Sequence, residues 1–303
     1  PGSLLILKNG DNRIIDQVNY IYYWGADGNG KSLERINPNS FYADRDGWQE
    51  SAVGGTPNAA NNCLDLAAGT VVHPTLQIFS DTLWTKGGSP YRLYSSGGAG
   101  GDSPSVAPGV TLTIGPGVVL NPVGKAYNSL YVQGTLRALG TAEEPIVFTS
   151  MEAEPQAGDW GTAIRFAPES INSVLSYVDF QYGGYYQTGI YDPIMPLVVV
   201  NESAVSFNNC RFMDSQTRAL DLINSSSEVR DSFFVRNAIE ALRTYGSSTA
   251  IIAGNVFANT EFKGAAISVT YQARPVVTAN SFTGFQKAVL VKSAYPELSD
   301  LGM

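Results

Sequence analysis

GTLRALGTAEEPIVFTS, residues 134–150, sets two short apolar runs between closely spaced turn residues. Gly134 and Gly140 open the turns, and the glutamates of TAEEP mark a solvent-facing bend. The runs are too short for helices and leave no space for a crossover helix between them. This pattern predicts one rung of a solenoid. Gly134 and Gly140 bend the chain, while Leu136, Ile146 and Phe148 point inward.

The rest of the chain repeats that rung. Phe212, Phe234, Phe257 and Phe282 are separated by 22, 23 and 25 residues, and Phe148 and Phe180 precede them at intervals of 32. Five positions before the later phenylalanines stand Leu175, Phe207, Val229, Ile252 and Val277, all apolar. Two positions before stand Val178, Cys210, Ser232, Asn255 and Asn280, the last four of them small or amide-bearing. Short apolar runs then start at Ala219, Ala241, Ala266 and Ala288. A period of 22–25 residues with like residues in columns predicts three strands per turn, each rung stacked on the last. An asparagine column at an inward bend can bond to backbone and to neighbouring amides along the stack.

Composition agrees with an all-β chain. The 303 residues are 44% hydrophobic and 15% charged, with 31 Gly and 16 Tyr but only four Met and one His. The formal charge of −8 and the pI near 4.7 offer no basic stripe for nucleic acid and no attraction to anionic lipid. No apolar run approaches the ~18 residues of a membrane-spanning helix, so no membrane insertion is expected.

The N-terminal part differs. SLLILKNGDNRIIDQVNYIYYW, residues 3–24, reads as two strands around an NGDN turn. Beyond it, Asp16, Val18, Tyr20, Trp24, Ser32–Ile36, Trp48, Ser51, Gly54–Pro57 and Asn61 follow the order of a known motif. Over about residues 1–62 the chain resembles the C-terminal half of a lamin-tail domain, an immunoglobulin-like β-sandwich. That resemblance implies a binding or assembly role in bacterial extracellular proteins, with no common catalytic site. The family's first strands are absent from this sequence, so upstream sequence or a neighbouring chain would complete the sandwich. Residues 109–166 resemble the right-handed parallel β-helix repeats of large bacterial surface proteins. The expected organisation is a partial sandwich over 1–62, a connector over 63–83 and a right-handed parallel β-helix over 84–303.

Catalysis on such a solenoid would need grouped carboxylates, either to hold calcium or to act as an acid–base pair about 5–9.5 Å apart. The columns supply none. Asp214 is followed one rung later by Arg236, and Asp221 by Arg243, the pattern of inter-rung salt bridges. Asp179 reads as a lone exposed carboxylate, because its column continues as Arg211, Phe233, Val256 and Ser281. His73, the only histidine, lies outside the repeats with no nucleophile motif beside it. One His with Cys63 and Cys210 does not make a zinc set, and a Cys63–Cys210 disulfide is the lesser reading because Cys210 falls in an interior column. ADGNGKSLE starts like a calcium loop at Asp27 and Asn29, but Lys31 stands at the third ligand position. Asp44 and Asp46 in YADRDGW are a weaker calcium candidate. No metal, cofactor or catalytic residue is assigned.

The least regular stretch is FQYGGYYQTGIYDPIMP, residues 180–196, an insertion that lengthens its rung. Tyr182, Tyr185, Tyr186 and Tyr191 are the candidate partner- or glycan-contacting residues, since tyrosine rings stack on sugars and anchor interfaces. The other reading has the loop cover the solenoid flank. Together these features point to a non-enzymatic, secreted or cell-surface structural protein that assembles with copies of itself, head to tail, into a filament or layer. Surface polysaccharide is the further partner considered. The alternatives are a carbohydrate-binding or polysaccharide-degrading β-helix protein and an adhesin.

Overall fold

The computed structural model describes residues 2–12, 14–21, 30–35, 48–51, 69–72, 76–94, 103–123, 129–186, 194–260 and 264–299. The chain divides into two compact units, Pro1–Val71 and Val72–Met303. In the first, strands Gly2–Lys8 and Ile14–Ile21 pair antiparallel from Gly2↔Ile21 to Lys8↔Ile14. The expected NGDN turn closes this hairpin. Asn9 Oδ1 accepts from the Asp11 N–H at 3.1 Å, and Asn12 takes a φ of 64°. A second antiparallel pair joins Leu33–Arg35 to Trp48–Glu50. Ser32 Oγ donates to Glu34 Oε1 at 3.1 Å beside it. These are two hairpins; the described residues do not assemble them into the expected sandwich.

The second unit is the parallel β-solenoid the repeat predicted. Three sheets of nine strands run along it, and successive rungs contribute one strand to each. In the rung from residue 205 these are Val205–Asn208 in the first sheet, Arg211–Met213 in the second and Leu220–Ile223 in the third. Alternate residues face inward, so three-residue strands such as Ile146–Phe148 and Ile164–Phe166 bury their two outer members.

The columns read from the sequence are columns in space. Phe148, Phe180, Phe212, Phe234, Phe257 and Phe282 are register partners in the second sheet. Their rings stack in pairs with centroids 4.7–5.2 Å apart. Parallel strands are spaced by about 4.8 Å, so one ring per rung falls into offset-stacking distance without adjustment. Leu175, Phe207, Val229, Ile252 and Val277 form the facing column of the first sheet. Leu220, Leu242, Ile267 and Val289 belong to the third.

At the bend from first to second sheet, small and amide side chains tie rung to rung. Ser232 Oγ accepts from the Cys210 N–H at 3.0 Å, Asn255 Oδ1 from the Ser232 N–H at 2.9 Å and Asn280 Oδ1 from the Asn255 N–H at 2.9 Å. Asn255 Nδ2 donates back to the Val229 carbonyl at 2.9 Å. The corner residue just before this column is left-handed in five successive rungs: Tyr177, Asn209, Asp231, Gly254 and Ala279 have φ of 49–70°. At Gly134, as expected, a Cβ would overlap the carbonyl oxygens of Ala107 and Val110, and at Gly140 that of Tyr177. Leu136, Ile146 and Phe148 are fully buried.

Corner length varies along the solenoid. Between the second and third sheets, residues 214–219, 236–241 and 259–264 give corners of six residues each. The earlier corners at 149–163 and 182–197 are 15 and 16 residues long. They leave the same edge of neighbouring rungs.

Candidate functional site

The outward face of the second sheet and the long corners beside it hold the chemistry. Asp179 lies outward on strand Val178–Gln181, in register with Arg211. It is only 2% exposed, which corrects the expectation of a solvated carboxylate. The Arg211 guanidinium lies over it, donating from Nε to Oδ1 at 2.7 Å and from Nη2 to Oδ2. This hydrogen bond is the main reason the Arg211 pKa is raised.

The two ion pairs that were expected form as well. Arg236 makes two bonds to Asp214, at 2.6 and 2.7 Å. Arg243 bonds both oxygens of Asp221 at 3.1 and 2.6 Å. The repeat did not reveal Arg218, which donates to the same Asp221 at 2.8 Å and leaves that carboxylate buried between two guanidinium groups. Each of these carboxylates is bonded through both oxygens by a guanidinium one rung away.

The tyrosine insertion forms a short antiparallel pair, Tyr185–Tyr186 with Ile194–Met195. Trp160, from the neighbouring long corner, is buried beneath it and donates its indole N–H to the Gln181 carbonyl at 3.1 Å. Gly183 lies so close to that indole that a Cβ there would overlap the ring. Tyr186 is 40% exposed, and its N–H donates to Gln216 Oε1 at 3.2 Å. Tyr185 is half-buried. Tyr182 is half-buried at the corner with a φ of 67°. The described part of the insertion therefore lies over Trp160 and still presents ring surface at Tyr186. Tyr191 lies outside the described residues, as do His73, Cys63, Asp27, Asn29, Asp44 and Asp46.

A cleft of about 430 Å³ opens on the same sheet, two rungs before Phe180. It is lined by Ser89, Pro90, Arg92, Val119, Asn121, Thr149, Ser150 and Met151. Arg92 is in register with Asn121, whose amide donates to the Thr149 carbonyl at 3.0 Å. The Arg92 Nε is buried and has no hydrogen-bond partner among the described residues. Such an orphaned donor costs about 1–3 kcal/mol, more when charged, unless something else satisfies it. The sequence held the signal. Arg92 stands outward on its rung, as Arg211 does, yet no acid stands in its column. The absence of phenylalanine from that rung hid its register.

Cys210 is free and fully buried, and burial pushes its thiol up to about 12. It is a core residue, not a nucleophile. Among the described residues, no group of three or more His, Cys, Asp or Glu is placed to hold a metal ion. Among them too, no helix is long and apolar enough to cross a membrane.

Residues 101–188 match the family described as pectate-lyase like beta helix domain, and residues 195–298 match the right handed beta helix region. No curated protein and no solved structure matches the chain. The two family matches fit a surface or polysaccharide-related β-helix protein, and neither family is specifically catalytic.

Proposed function

We propose that this chain is a non-enzymatic β-solenoid of the cell surface or secreted space that holds one lateral face against polysaccharide. The observation that carries this reading is the pairing of the outward carboxylates. Asp179, Asp214 and Asp221 are each gripped by arginine. A general acid must present a carboxyl oxygen to the substrate, and here both oxygens of each carboxylate face guanidinium donors. What remains on the face suits binding: a polar cleft, and tyrosine rings raised on a packed hairpin.

The test is incubation of the full chain with a panel of acidic and neutral polysaccharides. Retention on the polymer without release of unsaturated or reducing ends is the expected result. Turnover that disappears in Asp179→Asn would overturn the reading.

Self-association of copies belongs to the same proposal, as does the lamin-tail-like sandwich over 1–62. Charge supports association. Residues 129–186 carry two basic and seven acidic side chains, whereas residues 264–299 carry three basic and one acidic. Copies can set the acidic middle rungs of one against the basic last rungs of another. Sedimentation velocity at low and high salt reads this: larger species at low salt are expected, and a monomer at both would remove self-association from the proposal.

A further inference from the structure

We propose that the cleft around Arg92 binds the acidic substituent of a glycan directly, guanidinium to oxyanion, with no bridging cation. This rests on the polysaccharide-binding reading and names the chemistry that the cleft selects.

Arg92 projects outward between buried Tyr91 and Leu93, so its backbone is fixed by the core. Three other guanidinium groups on the solenoid faces are closed by a carboxylate: Arg211 by Asp179, Arg236 by Asp214, Arg243 by Asp221. Arg92 is not. No Asp or Glu lines its cleft, and its Nε is buried without a partner among the described residues. The group is permanently charged, and its planar fork matches the two-oxygen edge of a carboxylate or sulfate. A neutral ligand would leave that charge uncompensated, and a metal ion would find no anionic donor among the lining residues.

The rest of the lining suits a sugar. Ser89 Oγ accepts from the Val119 N–H at 2.9 Å, so its own proton is available to a ligand oxygen. Ser150 adds a second hydroxyl and Met151, 49% exposed, an apolar rim. The volume of about 430 Å³ is within the range of small-ligand sites. The cleft also opens across rungs, the direction along which a polymer could continue.

Titration calorimetry on the full chain tests this with four tetrasaccharides: a uronic-acid oligomer and its methyl ester, and a sulfated oligomer and its unsulfated form. Inorganic sulfate is the fifth probe. At least one acidic oligomer should bind about tenfold or more tightly than its neutral counterpart, with the difference shrinking in salt. Arg92→Gln should abolish that preference and leave the weaker neutral binding. Asn121→Asp, which sets a carboxylate on the register neighbour of Arg92, should abolish it too, with an unchanged melting curve showing that the fold holds. EDTA should have no effect.

Equal binding of acidic and neutral forms, or a preference that survives in Arg92→Gln, would overturn the oxyanion subsite and leave glycan binding standing. Loss of binding in EDTA would overturn the cation-free contact. No binding of any oligosaccharide would overturn both readings. Inorganic sulfate binding alone would replace the glycan by a free anion and so overturn the proposal as stated.

Discussion

The rungs after Val198 and the rungs before it share one register and one core, but their corners and outer faces differ. Three of the later rungs turn from second to third sheet in six residues, the repeat is 22–25, and outward Asp–Arg pairs join one rung to the next. Two of the earlier rungs carry corners of 15 and 16 residues, with a tyrosine pair held over Trp160, and another has an arginine left open beside a cleft. Regularity and closure belong to stability; on the proposed reading, irregularity and an unmatched charge serve contact with polysaccharide. In a solenoid each rung touches only its neighbours, so one stretch can diversify while another stays uniform.

The sharpest way to break this comparison is to cut the regular stack. Phe212 is fully buried between the rings of Phe180 and Phe234. Phe212→Ala should cost about 3–5 kcal/mol in urea unfolding, through lost burial and the cavity left behind. Phe233→Ala, on the same face-alternating sheet but 44% exposed, should stay within about 0.5 kcal/mol. Equal losses at both sites would show that the column is not what holds the rungs together.

Next come the ion pairs, which differ by burial. Asp221 has a side chain only 3% exposed, and it neutralises Arg218, itself only 9% exposed. Asp221→Ala leaves that arginine only the 3.8 Å contact to Glu240 and should cost about 3–5 kcal/mol. Asp214→Ala removes a pair whose arginine is half exposed, and should cost about 0–1 kcal/mol. An effect between these two follows in the amide ladder. Asn255→Ala removes the acceptor of the Ser232 N–H and the donor to the Val229 carbonyl, and should cost about 1–3 kcal/mol. Thermal melts of the three variants order them; Asp214→Ala above Asp221→Ala in cost would reverse the burial argument.

What could be read from the sequence follows the same division. The phenylalanine, aliphatic and amide columns were legible because a rung repeats its register, and sequence distance then converts directly into contact. Asp214 with Arg236 and Asp221 with Arg243 were legible for that reason. Asp179 was placed in the right column with the wrong exposure, because its column shows Arg211 as a neighbour but not the guanidinium folding across it. Arg218 escaped because it reaches Asp221 from a corner, where no period applies. Arg92 escaped because its rung carries Tyr91 and its neighbour Leu120 where later rungs carry phenylalanine. A lone unmatched charge is invisible until the rungs on either side are aligned. The left-handed corner column of Tyr177, Asn209, Asp231, Gly254 and Ala279 escaped as well, since its conformation is imposed by the stacked rungs and only three of its members favour it.

The mildest probe perturbs no side chain. Cys210 sits in the amide column of a regular rung, and burial raises its thiol from 9.0 to about 12. In the unfolded chain the thiol ionises above its ordinary value, while in the folded chain it stays neutral. Its contribution to stability is therefore complete below about pH 9 and is lost as the pH rises through about 12. Two consequences are measurable. At pH 8 an aromatic disulfide reagent should label Cys210 only as fast as its rung opens, many orders of magnitude slower than a free thiol. Between pH 9 and 11, Cys210→Ser should lose less of its own stability than the parent chain does, because serine does not ionise there. Fast labelling at pH 8, with the melting curve unchanged, would mean that the regular rungs open locally as readily as a loop, and the division between a closed half and a contacting half would not hold.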